Sequence, residues 1–237
     1  MFKPQTQEIM KRLSTISLVV LGILFLASCK REDSMNIDQD RIYSNYEFTF
    51  DSDRNESTMT AMFRIDHSSG TKIELTYPSR VDYNGEGLAW RNGLGHYELK
   101  RTGSNHSGAF TYKDIDGKAF VNSPSSLTFV ELPFGITNIS QSGNFFLPWN
   151  GGAIQSGESI TVIISRGAQS TSRTWTINTV GASHIILDQN KLMGLTPGNA
   201  EVQIQREFSN VLQESNLSGG RITSTYKSVK AFINIVN

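Results

Sequence analysis

The sequence predicts an all-β protein, built as two β-sandwiches in tandem behind a removable leader. Three observations predict it. Beyond Arg41 the apolar residues recur with period two, which places them on one face of an extended strand. Turn-forming residues interrupt that alternation about every 8 to 12 positions, the rhythm of sandwiches and barrels. Helical character is confined to one short segment, Asp188 to Leu195, with Asp188 as its N-cap.

The elements follow in order. Tyr46, Phe48 and Phe50 alternate with Glu47 and Thr49; after the turn Asp51 to Asn55, Met59, Ala61, Phe63 and Ile65 share a face. Ile73, Leu75 and Tyr77 form a third run, closed by Pro78. Val81 and Tyr83 lead into Asn84-Gly85, then Leu88 and Trp90; Asn-Gly suits the positive φ at both central positions of a type I′ hairpin turn. Tyr97 and Leu99, then Phe110 and Tyr112, precede the turn Asp114 to Gly117 and the return to Phe120. A connector from Asn122 to Ser126 leads to an extended run, Leu127 to Leu132, ended by Pro133.

The second half starts with Ile136, Ile139, Phe145 and Leu147 before the turn Pro148 to Gly152. Ser159 to Ser165 reads as a buried strand, Trp175 pairs with Ile177 on one face, and Val202 with Ile204. Val229, Ala231, Ile233 and Ile235 are expected to form the longest strand. Each half carries roughly six or seven strands and is near the ~100 residues of an immunoglobulin-like sandwich. The expected organisation is a leader at 1–28, a charged tether at 29–40, and sandwiches at 41–133 and 134–237. One sandwich or barrel of about 14 strands is the alternative.

The leader has its own signature. Lys11 and Arg12 precede an apolar run from Leu13 to Ala27, 15 residues long and shorter than the roughly 20 that a spanning helix needs. It ends in Leu26-Ala27-Ser28-Cys29, which resembles the bacterial lipobox, and Cys29 is the only cysteine in the chain. The resemblance implies that the Cys29 thiol is acylated and that Leu26, Ala27 and Ser28 are read by the signal peptidase. Several acyl chains on one residue give stable anchoring in membrane lipid, where a single chain gives only marginal binding. Lys30-Arg31-Glu32-Asp33 resembles the charged signal that sends lipoproteins of the Bacteroidota to the outer face of the outer membrane. Asp33-Ser34-Met35 resembles the short O-glycosylation motif of the same phylum. The remainder is similar in texture to that phylum's two-domain, all-β surface lipoproteins of unknown function, through turns such as Asp114-x-Asp-Gly117 and Leu195-x-Pro-Gly198.

Composition narrows the function classes. The 237 residues hold 22 basic and 22 acidic side chains, with 38% hydrophobic and 19% charged residues, too apolar for a disordered chain. Neutrality without a basic block argues against a nucleic-acid partner. One cysteine excludes a disulfide framework and a multi-cysteine zinc site. No nucleophile elbow, phosphate loop or His-Glu-x-x-His motif is present, so the expectation is a protein without catalytic residues, metal or cofactor.

Asp51, Asp53 and Asn55 open like a calcium loop, but Glu56 stands where the sharp-turn glycine belongs and Met62 where the bidentate glutamate does. The Asp114 to Gly117 turn reads the same way, and His67, His96, His106 and His184 have no metal-binding spacing. Trp90 and Trp175 alternate with core residues, whereas Trp149 sits in a Pro-Trp-Asn-Gly-Gly turn, where its ring is the candidate ligand platform. Tyr226 and Phe232 lie opposite the apolar face of the last strand. The expected activity is binding, adhesion or structural support with a surface protein as partner; a glycan taken up by a nutrient system is the alternative.

Overall fold

The computed structural model describes residues 31–105, 107–166 and 172–237. Leu26, Ala27, Ser28, Cys29, Lys30 and His106 therefore lie outside the described residues. The strands are β1 (Arg31–Asp33), β2 (Ile42–Asp51), β3 (Glu56–Ile65), β4 (Lys72–Glu74), β5 (Arg80–Tyr83), β6 (Glu86–Gly87), β7 (Ala89–Arg91), β8 (His96–Thr102) and β9 (Phe110–Lys113). They continue as β10 (Ala119–Asn122), β11 (Asn138–Ser140), β12 (Phe145–Pro148), β13 (Glu158–Ser165), β14 (Arg173–Ile177), β15 (His184–Leu187), β16 (Gly198–Val211), β17 (Gly220–Lys227) and β18 (Ala231–Val236). One helical turn, α1 (Gln189–Leu192), starts where the Asp188 carboxylate accepts the Lys191 backbone N–H at 3.0 Å, the N-cap expected from sequence.

The fold is an all-β sandwich, and its two cores share one sheet. That sheet runs β1-β4-β3-β2-β17-β16-β13-β14. Its central seam is a parallel ladder between β2 and β17, from Gly220 opposite Ser44 to Lys227 opposite Asp51. Two second layers cover the same face. The β10-β9-β5-β6 sheet closes the first core and the two-stranded β12–β15 sheet closes the second.

The first core is aromatic, with Tyr46 stacked on Phe110 at 4.9 Å and Phe63 tilted against Tyr112 at 4.7 Å. The second is largely aliphatic around Ile160, Val162, Ile164, Val202 and Ile204. Alternating burial along β2, β3 and β13 confirms period two, and positive φ at Asn84 and Gly85 confirms the hairpin turn between β5 and β6.

Three features differ from expectation. The segment 31–40 is not a solvated tether: β1 adds in parallel to β4, Ser34 is fully buried and accepts the Thr76 N–H, and Ile37 packs on the first core. Leu127 to Leu132 is no strand; its only β-pairing among the described residues is the Glu131–Asn150 bridge, although Val130 is buried in the second core. The longest strand is β16 with 14 residues, and its partner β17 sends Ile222 from the far end of the chain into the first core. A boundary near 133 separates the second layers, but the sheet beneath them crosses it.

Candidate functional site

Trp149 is not a platform. Only 6% of it is exposed, it packs in the second core, and its indole N–H donates to the Gly152 carbonyl at 3.2 Å. The reason lies in the two glycines that follow. Gly151 has φ 125°, and a side chain there would strike the Phe129 carbonyl, so only glycine lets the turn fold inward over the core. Trp175 is also core, with its N–H donating to Asp188 at 2.9 Å, while the half-buried Trp90 donates to Asn92 at 2.7 Å.

The acidic turns spend oxygens on backbone N–H groups. Asp51 accepts the Asp53 N–H at 3.1 Å, Asp53 accepts the Lys230 N–H at 3.2 Å, and Asp114 accepts the Lys118 N–H at 2.8 Å. Among the described residues no group of three His, Cys, Asp or Glu side chains is placed to hold a metal ion. His184 stacks on Phe146 at 3.8 Å, and the ring of His96 lies 4.0 Å from the Glu98 carboxylate. Of the expected export residues, Glu32 and Asp33 are exposed on β1, and Arg31 pairs with Glu74 at 3.0 Å.

A cleft lies at the seam between the two cores. Its floor is the shared sheet, where register puts Tyr226 beside Phe50 and Ser224 beside Phe48. The second layers leave this strip open, and Ser125, Leu127 and Phe129 of the connector roof it incompletely. Ser104 and Thr225 complete a cavity of about 330 Å³, within the range of small-molecule sites. The Phe50 and Tyr226 rings meet at 5.7 Å and 60°, and Phe129 is 52% exposed at the mouth.

The electrostatics are those of a neutral site. None of the lining side chains carries a charge at neutral pH, and burial pushes the Tyr226 phenol above its ordinary range. Tyr226 donates to Glu131 at 3.0 Å, which fixes its ring against Phe50. Burial pushes the Glu131 carboxyl upward, opposed by hydrogen bonds from Tyr226, Val229 and Ser52. Behind this wall Arg206, with no exposed surface, meets Glu158 at 3.0 Å and also donates to the Gly152 carbonyl. Burial lowers the Arg206 pKa and the Glu158 carboxylate opposes that shift. Aromatic faces ringed by hydroxyls can hold an uncharged ligand that has an apolar face and hydrogen-bonding edges. Sequence reasoning missed this site because its residues span positions 48 to 226 and match no motif.

No family model matches the chain, and no curated protein does. Solved structures give weak similarities. The tetra-tandem repeat in the extending region of a large adhesion protein aligns at 11% identity and a TM-score of 0.25, over 81% of this chain and 49% of that one. A structure described under the host cell surface retention of a 1.5-MDa bacterial ice-binding adhesin aligns at 14% identity and 0.25, over 82% and 65%. The FN1–FN3 domains of chicken CNTN1 align at 8% identity and 0.24, over 81% and 66%. The chain thus spans about half the length of the first of these proteins. At such scores the alignments carry no argument; the fold rests on the ladders and cores described above.

Proposed function

We propose that the chain is an outer-membrane lipoprotein, held through acylated Cys29 and exposed at the cell surface, that works by binding rather than by catalysis. The anchor rests on Leu26-Ala27-Ser28-Cys29 with its basic and apolar leader. The binding role rests on one observation, the neutral aromatic cleft on the shared sheet. A pyranose ring fits that chemistry: its axial C–H face lies on Phe50, Tyr226 or Phe129, and its hydroxyls meet the serines of the rim. A neutral glycan is therefore the ligand class. The second reading, a surface protein as partner, is favoured by Phe146 and Ile186, cross-strand neighbours more than half exposed on the outer face of the two-stranded β12–β15 sheet.

The test joins both parts. The full-length protein is expressed with labelled fatty acid, purified and screened on an array of uncharged glycans. Labelling is expected to vanish in Cys29→Ser, and Phe129→Ala is expected to weaken glycan binding about ten-fold. Phe129 lies outside both cores, so its truncation leaves the fold intact. Label retained in Cys29→Ser would overturn the anchor. Absence of any glycan binding, or binding indifferent to Phe129→Ala, would overturn the ligand.

A further inference from the structure

We infer that the base of the first core rests directly on the lipid surface, with the second core and the cleft held away from it. The inference rests on the acylated Cys29 proposed above and adds an orientation to it. A single residue, Lys30, separates Cys29 from Arg31, the first residue of β1. Two residues reach at most about 7 Å, so the backbone of the acylated residue is tied within that distance of the sheet edge.

Arg31 is not free to swing out. Its backbone sits opposite Lys72, and its guanidinium meets Glu74 at 3.0 Å, Asn92 at 3.4 Å and the Trp90 ring at 5.7 Å. A partly exposed ion pair alone would hold such a strand weakly. Here the strand ladder and the buried Ser34 immediately after it hold the segment as well.

Register then decides which end faces the lipid. β1 runs parallel to β4, Lys72 lies opposite Arg64, and Ile65 lies opposite Ile42. The chain therefore reaches Arg31 from the end of the sheet that carries loops 66–71 and 212–219. β2 rises from that end, and the cleft residues Phe50 and Tyr226 lie at its far end. β16 continues beyond β17, where its residues Gly198 to Val202 pair with β18. Its 14 residues span about 45 Å at a strand rise of ~3.3 Å. The second core is thus carried outward on a continuous strand, and the cleft opens well above the bilayer, where a ligand from outside reaches it.

Energy transfer in vesicles tests the orientation. The mature acylated protein is reconstituted into phosphatidylethanolamine–phosphatidylglycerol vesicles that contain a headgroup-labelled acceptor lipid. The thioether consumes the only native thiol, so a donor dye attaches solely to an introduced cysteine. Ser68→Cys places it on the exposed base loop, and Met193→Cys places it beyond β13 and β16 at a residue 64% exposed. Transfer is expected to be several-fold stronger from position 68 than from 193. A ten-residue Gly-Ser insertion between Lys30 and Arg31 is expected to lower transfer from 68. Equal transfer from both positions in protein that floats with the vesicles, or no response to the insertion, would overturn the orientation alone. Failure to float with the vesicles would overturn the anchor and the orientation with it.

Discussion

The buried Arg206–Glu158 pair offers the sharpest test of how the second core is held. Arg206 has no exposed surface and Glu158 only 9%, so neither charge is well solvated. Glu158→Gln keeps the shape and an acceptor oxygen but removes the charge that compensates the guanidinium. Breaking a buried pair from one side costs about 3–5 kcal/mol, and the retained acceptor puts this change near 3. Arg206→Met leaves Glu158 with slightly more exposure than Arg206 and still accepting the Gln155 N–H at 2.9 Å, so its cost is smaller, about 1–3 kcal/mol. The double variant removes both charges and leaves a neutral amide beside a methionine, so the desolvation cost that a lone buried charge carries is gone. The Nε of Arg206 has no partner among the described residues, which lowers the cost of losing it. The double variant is expected within about 1 kcal/mol of the parent. Urea unfolding followed by tryptophan fluorescence reads this core directly, because Trp149 and Trp175 both lie in it. Comparison requires an unchanged m value. Losses that simply add in the double variant would refute the reasoning, since they would mean that the two charges are energetically independent.

Two further outcomes follow from the first core. Burial pushes the Tyr97 phenol up to about 12 and raises Tyr46 and Tyr112 as well, so the folded state holds these protons more tightly than the unfolded chain does. Their contribution to stability is then full below the ordinary phenol value of ~10 and is lost as pH rises through the folded value. Phenolate absorbance is expected to appear together with cooperative unfolding at alkaline pH; ionisation of all tyrosines with the fold intact would count against it. A chain ended after residue 133 loses β17, hence the ladder along β2 and the Ile222 side chain. It is expected to aggregate or to unfold without cooperativity, because β2 becomes a long exposed edge; a soluble, cooperatively unfolding fragment would overturn that expectation.

Local features were legible because local physics sets them. Period two marked β2, β3 and β13, and Asn84-Gly85 and Asp188 marked a hairpin turn and a cap. What stayed hidden depends on distant partners. β17 alternates Ile222, Ser224 and Tyr226 with threonines, a weak apolar signal, because part of its inner face looks into the cleft instead of a core. In β16 the inward position after Ile204 is Arg206, so the apolar pattern stops there although the strand runs on to Val211. Trp149 misled because its turn glycines read as exposure, whereas they serve the close passage of the backbone past Phe129. The anchor signature and the docking of β1 were separable only by structure: charged Arg31, Glu32 and Asp33 look solvated in sequence, yet their backbone completes a sheet edge.

The position of the cleft follows from the sheet itself. Adjacent strands rotate by about 20–25°. Across the seven pairings from β1 to β14 that accumulates to roughly 150°, too much for one second layer to follow. Two separate layers therefore cover the two ends, and the strip above β2 and β17 is left open between them. The connector crosses that strip without forming a ladder, pairing only at the Glu131–Asn150 bridge among the described residues. The floor of the cleft is thus fixed by backbone ladders on both sides, and loops supply only its roof, from Ser125 to Phe129, and Ser104 at its side. A floor held in this way loses little freedom when a ligand lands on it, which favours affinity for a rigid ring over a flexible chain.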